Sequence, residues 1–185
     1  MAFWLRRWYE LYVLILGLDP GLAYTGFAVL RSSDHDLSLV RMGAIRTSSR
    51  ARLPQRLHVL YVGICRLFEE SRPDMAGMED VFSSARYPKA GLTLAQVAGV
   101  ILLAAEMHKV PIVEIPAREI RSSLVGYGNA KKEQIREAVK RVLRLDWTGS
   151  YHEADALAVA LVLHYRGPLR LRDDILSLRT AKIHK

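Results

Sequence analysis

The first part of the chain alternates apolar runs with short polar breaks. Residues 11–18 are almost entirely apolar, which is typical of a central strand that is covered on both faces. Residues 26–30 and 37–45 predict a second and a third strand, because each is a short apolar-rich run beside turn-forming residues. The connection at residues 21–24 reads as a turn, and residues 34–36 break the chain again before the third strand. Since both connections are short, we predict an antiparallel meander of three strands.

The hydrophobic period changes to that of a helix at residue 53. Apolar residues then recur every three or four positions until Pro73 ends the helix. Residues 75–81 and 111–115 predict two more strands. Between them we predict a loop at residues 82–89 and an apolar, alanine-rich helix at 91–108, which we expect to be largely buried.

Three further helices are predicted after the fifth strand. The first opens at Pro116 and ends near Gly126, the second is strongly amphipathic over residues 131–145, and the last covers residues 152–165. The order of elements predicts the α/β class. We expect a mixed five-stranded sheet, with three antiparallel strands and then parallel strands, flanked by helices.

The length of 185 residues suits one domain. We predict an N-terminal extension at residues 1–10, the domain at 11–166 and a basic tail at 167–185. No apolar run approaches the roughly 20 residues that span a bilayer, so no membrane association is expected. The single cysteine, Cys65, excludes an intrachain disulfide and fits a reducing compartment. We expect a cytoplasmic protein, with organellar targeting by residues 1–10 as the weaker alternative.

The net charge of +8 and the isoelectric point of about 9.8 change this picture. Lysine and arginine contacts to phosphates release counterions, so a basic domain of this size is commonly a nucleic-acid binder. Solubility alone would also account for the charge. We favour the nucleic-acid interpretation.

Four side chains combine into a candidate catalytic site. Asp19 follows the first buried strand, Glu79 lies near the end of the fourth strand, and His152 and Asp155 lie on the last helix. Carboxylates at the ends of apolar strands are costly to bury without a partner, which suggests a shared cation. His152 and Asp155 are three residues apart and so share one helix face. Such donors suit divalent cations, and two metals about 4 Å apart can hydrolyse a phosphodiester.

Each of these residues also has a plainer interpretation. Asp19 before Pro20 could be a turn residue, and Glu79 could be a surface carboxylate at a strand end. His152 could stand at the start of a helix without a metal role. Glu153 is out of phase with Asp155, and we interpret it as a solvated helix residue. The combination favours metal-dependent nuclease chemistry more than any single residue does.

Several motifs resemble one known family, the RuvC family of Holliday-junction resolvases, which has an RNase H-like fold. They cover residues 14–164 in the family's order. They are Leu18-Asp19-Pro20-Gly21, Thr25-Gly26-Phe27-Ala28-Val29, Met78-Glu79-Asp80-Val81-Phe82, Leu92-Thr93-Leu94-Ala95-Gln96-Val97-Ala98-Gly99-Val100, Val125-Gly126-Tyr127-Gly128-Asn129-Ala130-Lys131-Lys132-Glu133-Gln134 and Glu153-Ala154-Asp155-Ala156-Leu157-Ala158.

The resemblance implies a homodimer that nicks two strands of a four-way DNA junction with Mg²⁺ or Mn²⁺, as two ions in each active site. The metal-binding acids would be Asp19, Glu79 and Asp155, with His152 at the fourth position. A branch-migration helicase complex is a further expected partner.

The resemblance also implies residues that contact DNA. Phe82 would stack on unpaired bases at the crossover, although a core position is the alternative. Arg121 and Lys132 would lie near the scissile phosphate, and Lys131 would join them, although single basic residues usually belong to a solvated face.

The chain departs from the family pattern at the N-terminal extension, at the tail and at His152, which replaces the more familiar carboxylate. These departures affect the expected metal preference and partner contacts. Two alternatives remain: an RNase H-like nuclease with another nucleic-acid substrate, and a non-catalytic junction-binding protein. A two-lobed sugar-kinase or actin-like ATPase would need a longer chain.

Overall fold

The computed structural model describes residues 12–33, 36–81 and 88–167, with the backbone alone for residues 88–90. The strands are β1 (Tyr12–Asp19), β2 (Tyr24–Ser33), β3 (Leu37–Arg46), β4 (Met75–Glu79) and β5 (Ile112–Ile115). The helices are α1 (Leu53–Ser71), α2 (Pro88–Met107), α3 (Ala117–Val125), α4 (Lys132–Leu143) and α5 (Tyr151–Tyr165). The predicted order of strands and helices is therefore confirmed.

The five strands form one mixed sheet in the order β3-β2-β1-β4-β5. Strand β2 pairs antiparallel with both β1 and β3, whereas β4 pairs parallel with β1 and β5. The predicted sheet of three antiparallel strands followed by parallel ones is confirmed. Because β1, β4 and β5 run in the same direction, their carboxyl ends meet at one edge of the sheet.

Both faces of the sheet are covered, which explains the unbroken apolar run of β1. Ile15 points into a core formed with α3, α4 and α5, whereas Leu16 and Leu18 point into a second core formed with α1 and α2. All three side chains are fully buried. Full burial of one such side chain stabilises the fold by about 1.5–3 kcal/mol.

Helix α5 lies unusually close to the sheet, and glycines allow it to do so. A Cβ atom on Gly17 would lie 2.1 Å from the carbonyl oxygen of Ala156, and one on Gly26 would lie 2.1 Å from that of His152. Both distances are far below a normal contact, so no larger residue fits without moving the helix. Glycine at these positions brings the start of α5 to the carboxyl end of β1.

Some predicted boundaries were wrong. Strand β2 begins at Tyr24 rather than residue 26, so the turn is shorter than predicted, and β4 ends at Glu79 rather than residue 81. Helix α2 begins at Pro88, inside the predicted loop, because proline is well suited to a first helical turn. The terminal segments 1–11 and 168–185, together with Phe82, lie outside the described residues.

The prediction that the second helix is largely buried was also incorrect. One face of α2 is buried against the sheet, but Leu92, Leu103 and Met107 are 70%, 56% and 58% exposed. Apolar residues around a whole helix indicated burial. Within a single chain the described residues leave most of this second face exposed, although the Tyr61 hydroxyl contacts the Met107 sulfur. Within those same ranges no helix has the length and apolarity to span a membrane.

Candidate active site

Two acidic residues end neighbouring parallel strands. Asp19 is the last residue of β1, and Glu79 is the last residue of β4. The register pairs Leu18 with Met78, so the two acids follow a matched pair and lie side by side at the edge of the sheet. The Asp19 side chain is only 15% exposed. The sequence prediction of two converging strand-end carboxylates describes this arrangement.

A capping box sets the start of α5. The Ser150 hydroxyl accepts a hydrogen bond from the backbone N–H of Glu153, and the backbone N–H of Ser150 donates to Glu153 Oε2 at 3.0 Å. Glu153 is thus a capping residue rather than a site residue. The cap fixes the helix phase, so that His152 and Asp155 share the face that meets the strand ends.

His152 is held by Asp19 and by an aromatic neighbour. Its Nδ1 lies 2.7 Å from Asp19 Oδ2 in a hydrogen bond. Its ring stacks on the ring of Tyr24, with 5.6 Å between centroids and 15° between planes. Sequence reasoning missed Tyr24, although its position at the active-site end of β2, two residues before Gly26, was a usable signal.

Asp155 is paired with a lysine from another helix. Lys132 Nζ donates a hydrogen bond to Asp155 Oδ2 at 3.0 Å, and the lysine side chain remains 61% exposed. Burial lowers the pKa of the Lys132 ammonium, but the charge of Asp155 and the hydrogen bond to it outweigh burial, so the pKa is raised. Lys132 therefore stays charged at the site.

Three of the four predicted catalytic residues line one cavity of about 240 Å³. They are Asp19, Glu79 and Asp155, and two predicted DNA-binding residues, Arg121 and Lys132, line it with them. The other lining residues are Pro20, Asp80, Val81, Leu94, Ala117, Ile120 and Ile135. Sequence reasoning gave Asp80 no role, although it directly follows Glu79.

Two of the predicted site residues do not line the cavity. His152 contacts it only through Asp19, because its ring is turned toward Asp19 and Tyr24. Lys131 is exposed just before the first turn of α4.

Burial and neighbouring carboxylates destabilise the charged forms of Glu79 and Asp19. Burial, and then the charges of Asp19 and Asp155, raise the pKa of Glu79 to about 7. Burial also raises the pKa of Asp19, and its hydrogen bond from His152 offsets only part of that effect. The same hydrogen bond raises the pKa of His152. Such mutual repulsion is what a bound cation would relieve.

The donor set fits a divalent metal by its chemistry. Three carboxylates converge on one cavity, and hard divalent cations prefer carboxylate oxygens. However, among the described residues no three His, Cys, Asp or Glu side chains are already arranged to hold an ion. The reason is visible in the pairing: Asp19 faces His152, and Asp155 faces Lys132. In each pair the contact engages Oδ2, so a metal would be held by the other carboxylate oxygen or would displace the partner.

Replacing Glu79 by glutamine is expected to stabilise the metal-free protein above neutral pH. The carboxyl group ionises near its ordinary value of 4.5 in the unfolded chain but near 7 in the folded one. The folded state therefore binds more protons between these values, and the free energy of unfolding falls as pH rises through that window.

Glu79→Gln removes this titration, so the melting temperature should rise by several degrees at about pH 8 and much less at about pH 4. Thermal unfolding with a chelator present measures both. Glu137→Gln, at an exposed position on α4, is the control and should change little at either pH. An equal change for Glu79→Gln at both pH values would contradict the expected ionisation.

The chain is similar to known proteins over a range that includes the residues of this site. The sequence model of the family described as crossover junction endodeoxyribonuclease RuvC matches residues 15–164. The chain belongs to the RuvC family. A RuvC from Legionella pneumophila (strain Corby) is 38% identical over 148 residues, covering 80% of this chain and 84% of that protein. The RuvC of Polynucleobacter asymbioticus is 35% identical over 170 residues, covering 90% and 98%.

Solved RuvC structures share the fold. The chain aligns with the Thermus thermophilus RuvC structure at a TM-score of 0.76 and 24% identity, covering 84% of this chain and 96% of that one. It aligns with T. thermophilus RuvC in complex with a Holliday junction substrate at 0.74 and 25% identity, covering 81% and 92%. The predicted RNase H-like fold is thereby confirmed. Members of the RuvC family are divalent-metal-dependent endonucleases, so the chain is a hydrolase.

Proposed function

We propose that the chain resolves four-way (Holliday) DNA junctions during recombination and repair by symmetric hydrolysis of phosphodiester bonds. The convergence of Asp19, Glu79 and Asp155, from two strands and a helix, on one cavity is the observation that carries the proposal. A RuvC structure of the same fold is a complex with this substrate. The products would be a 5′-phosphate and a 3′-hydroxyl, which a ligase can join.

Asp19, Glu79 and Asp155 would hold Mg²⁺ or Mn²⁺, as two ions, with His152 as a fourth ligand or a general base. When bound there, the metal would activate a water molecule and stabilise the leaving oxygen. His152 in place of a carboxylate removes one negative charge and supplies an imidazole nitrogen. Imidazole favours softer metals than carboxylates do, so we propose that the substitution alters the metal preference of the site.

Basic residues beside the cavity would orient the scissile phosphate. Arg121 and Lys132 line the cavity with the carboxylates, and both lower the pKa of Glu79 by their charge. Lys131, which precedes Lys132 and is exposed, would contact an adjacent phosphate. The stacking of Phe82 on unpaired bases at the crossover stays a prediction.

A homodimer is proposed because a four-way junction presents two equivalent strands for cutting. The exposed face of α2 supports it. Leu92, Leu103 and Met107 are all at least half exposed and lie at helical spacing along this face. A second copy of the chain would bury them and place two cavities on one assembly.

Leu103→Lys is expected to convert the dimer into a monomer at micromolar concentration, because a desolvated lysine at the centre of an apolar interface weakens association by about 100-fold or more. Analytical ultracentrifugation measures the change. Val142→Lys, at a 40% exposed position on α4, is the matched control and should leave the dimer intact. A parent chain that sediments as a monomer while bound to a junction would overturn the dimer proposal.

We propose that the chain resolves junctions in the bacterial cytoplasm, at the nucleoid, because the relatives are bacterial enzymes. A branch-migration helicase complex is the proposed protein partner, since resolution follows movement of the crossover. Co-sedimentation of the chain with such a helicase on junction DNA would test this contact.

The decisive experiment compares three labelled substrates: a synthetic four-way junction, a linear duplex and an RNA–DNA hybrid. Symmetric, divalent-metal-dependent nicking confined to the junction is expected. Preferred cutting of the hybrid would instead favour an RNase H-like nuclease with another substrate. Junction binding without cutting in either Mg²⁺ or Mn²⁺ would favour a non-catalytic binding protein.

A further inference from the structure

The His152 ring has two fixed contacts. One is with Asp19, a proposed metal ligand, and the other is with Tyr24, which is not a metal ligand. Its Nδ1 is hydrogen-bonded to Asp19, and its ring face is stacked on Tyr24 in a nearly parallel arrangement. The His152 side chain is 41% exposed, so solvent alone would leave its ring free to rotate. The hydrogen bond fixes which edge of the ring faces Asp19, and the stack fixes the plane of the ring.

Tyr24 is itself held in place. On β2 it is paired with Arg46 of β3, and the Arg46 guanidinium lies over the Tyr24 ring, 5.5 Å from its centroid. The next residue, Thr25, is fully buried, and its hydroxyl donates a hydrogen bond to the Gly21 carbonyl at 2.8 Å. The tyrosine backbone therefore cannot shift freely, even though the residue is 43% exposed.

We propose that Tyr24 is a positioning residue of the active site: it holds the His152 ring, and this ring, through its hydrogen bond to Oδ2, fixes the orientation of the Asp19 carboxylate at the cavity. The inference rests on the proposed roles of Asp19 and His152. Tyr24 acts through its ring face and not through its hydroxyl, because the contact is a ring stack.

Residues behind a metal ligand typically change metal affinity or activity by about 10–100-fold when they are removed. For Tyr24→Leu we expect Mn²⁺ affinity and kcat each to fall by about tenfold or more, with KM for the junction nearly unchanged. Tyr24→Phe keeps the ring and should retain nearly full affinity and kcat. Isothermal calorimetry with Mn²⁺ gives the metal affinity, and multiple-turnover cleavage at varied junction concentrations gives kcat and KM.

A spectroscopic readout tests the contact without metal or DNA. The Tyr24 ring current should shift the His152 ring protons upfield in the metal-free protein, and His152→Asn identifies their signal. Tyr24→Leu should remove this shift, whereas Tyr24→Phe should keep it. Tyr165→Leu is the matched control, because Tyr165 is another exposed tyrosine with a histidine ring beside it, His164 at 5.4 Å, at the far end of α5.

The possible outcomes separate cleanly. An unchanged His152 signal and Mn²⁺ affinity in Tyr24→Leu would overturn the inference, as would a loss in Tyr24→Phe equal to that in Tyr24→Leu. A rise in KM alone would also overturn it and would indicate direct stacking of Tyr24 on DNA. If His152→Asn keeps full metal affinity and cleavage, the failure lies in the proposed role of His152 rather than in the Tyr24 contact.

Discussion

Asp19→Asn is expected to reduce cleavage of a four-way junction by about 1000-fold or more, which corresponds to about 4 kcal/mol of transition-state stabilisation. Junction binding should be little changed. Asp19 is the carboxylate at the centre of the site: it ends β1, lines the cavity and accepts the hydrogen bond from His152. Asparagine has the same shape and can still accept that hydrogen bond, but it lacks the negative charge that a divalent cation requires.

The loss should come from chemistry rather than from folding. Burial raises the pKa of Asp19, so the charged form is costly in the metal-free protein, and a neutral asparagine relieves that cost. We therefore expect a melting temperature equal to or above that of the parent chain. Cleavage under single-turnover conditions and binding in Ca²⁺ by gel shift measure the two effects separately.

Asp74→Asn is the matched control for this substitution. Asp74 directly precedes β4, at the opposite edge of the same sheet, where its Oδ2 accepts a hydrogen bond from the backbone N–H of Leu14 at 2.9 Å. Asparagine retains an acceptor there, so cleavage should be nearly unchanged. Full cleavage by Asp19→Asn would rule out metal ligation by this residue.

Gly26→Ala is expected to impair both stability and cleavage, because it forces α5 away from the strand ends. The added Cβ would lie 2.1 Å from the His152 carbonyl oxygen and 2.6 Å from its carbonyl carbon. Both atoms belong to the backbone, so a rotamer change cannot relieve the clash. Overpacking of this kind costs about 1–3 kcal/mol, a fall of several degrees in melting temperature.

The effect on cleavage should exceed what unfolding explains. Displacement of the first turn of α5 moves His152 and Asp155 together, and misplacement of reacting groups by about 1 Å can cost about 100-fold in rate. Cleavage measured well below the melting temperature isolates this geometric loss. Gly91→Ala is the control: its Cβ would meet nothing within 4 Å, and alanine in a helix is more stable than glycine by about 0.5–1 kcal/mol.

Parent-like activity of Gly26→Ala would show that α5 does not need its close approach to the sheet. Stability lost without a further loss in cleavage would show that the helix returns to its position once folding is complete. Either result would remove the link between this glycine and the geometry of the site.

Sequence periodicity sufficed for the core of the fold, and physical chemistry explains why. The unbroken apolar run of β1 required cover on both faces, and helices do cover it. Asp19 and Glu79 were recognisable because a carboxylate at the end of an apolar strand needs a compensating partner. The three-residue spacing of His152 and Asp155 placed them on one helix face, and the capping box at Ser150 set the phase of that helix.

Only the tertiary structure decided how these groups meet. The hydrogen bond between His152 and Asp19 joins residues 133 positions apart, and the pair formed by Lys132 and Asp155 joins two helices. The stacked Tyr24 and the exposed face of α2 likewise depend on which elements pack together. A periodic pattern encodes whether a side chain is buried, but not which distant side chain it meets. That choice is made by packing, here by the two glycines that let α5 lie against the sheet.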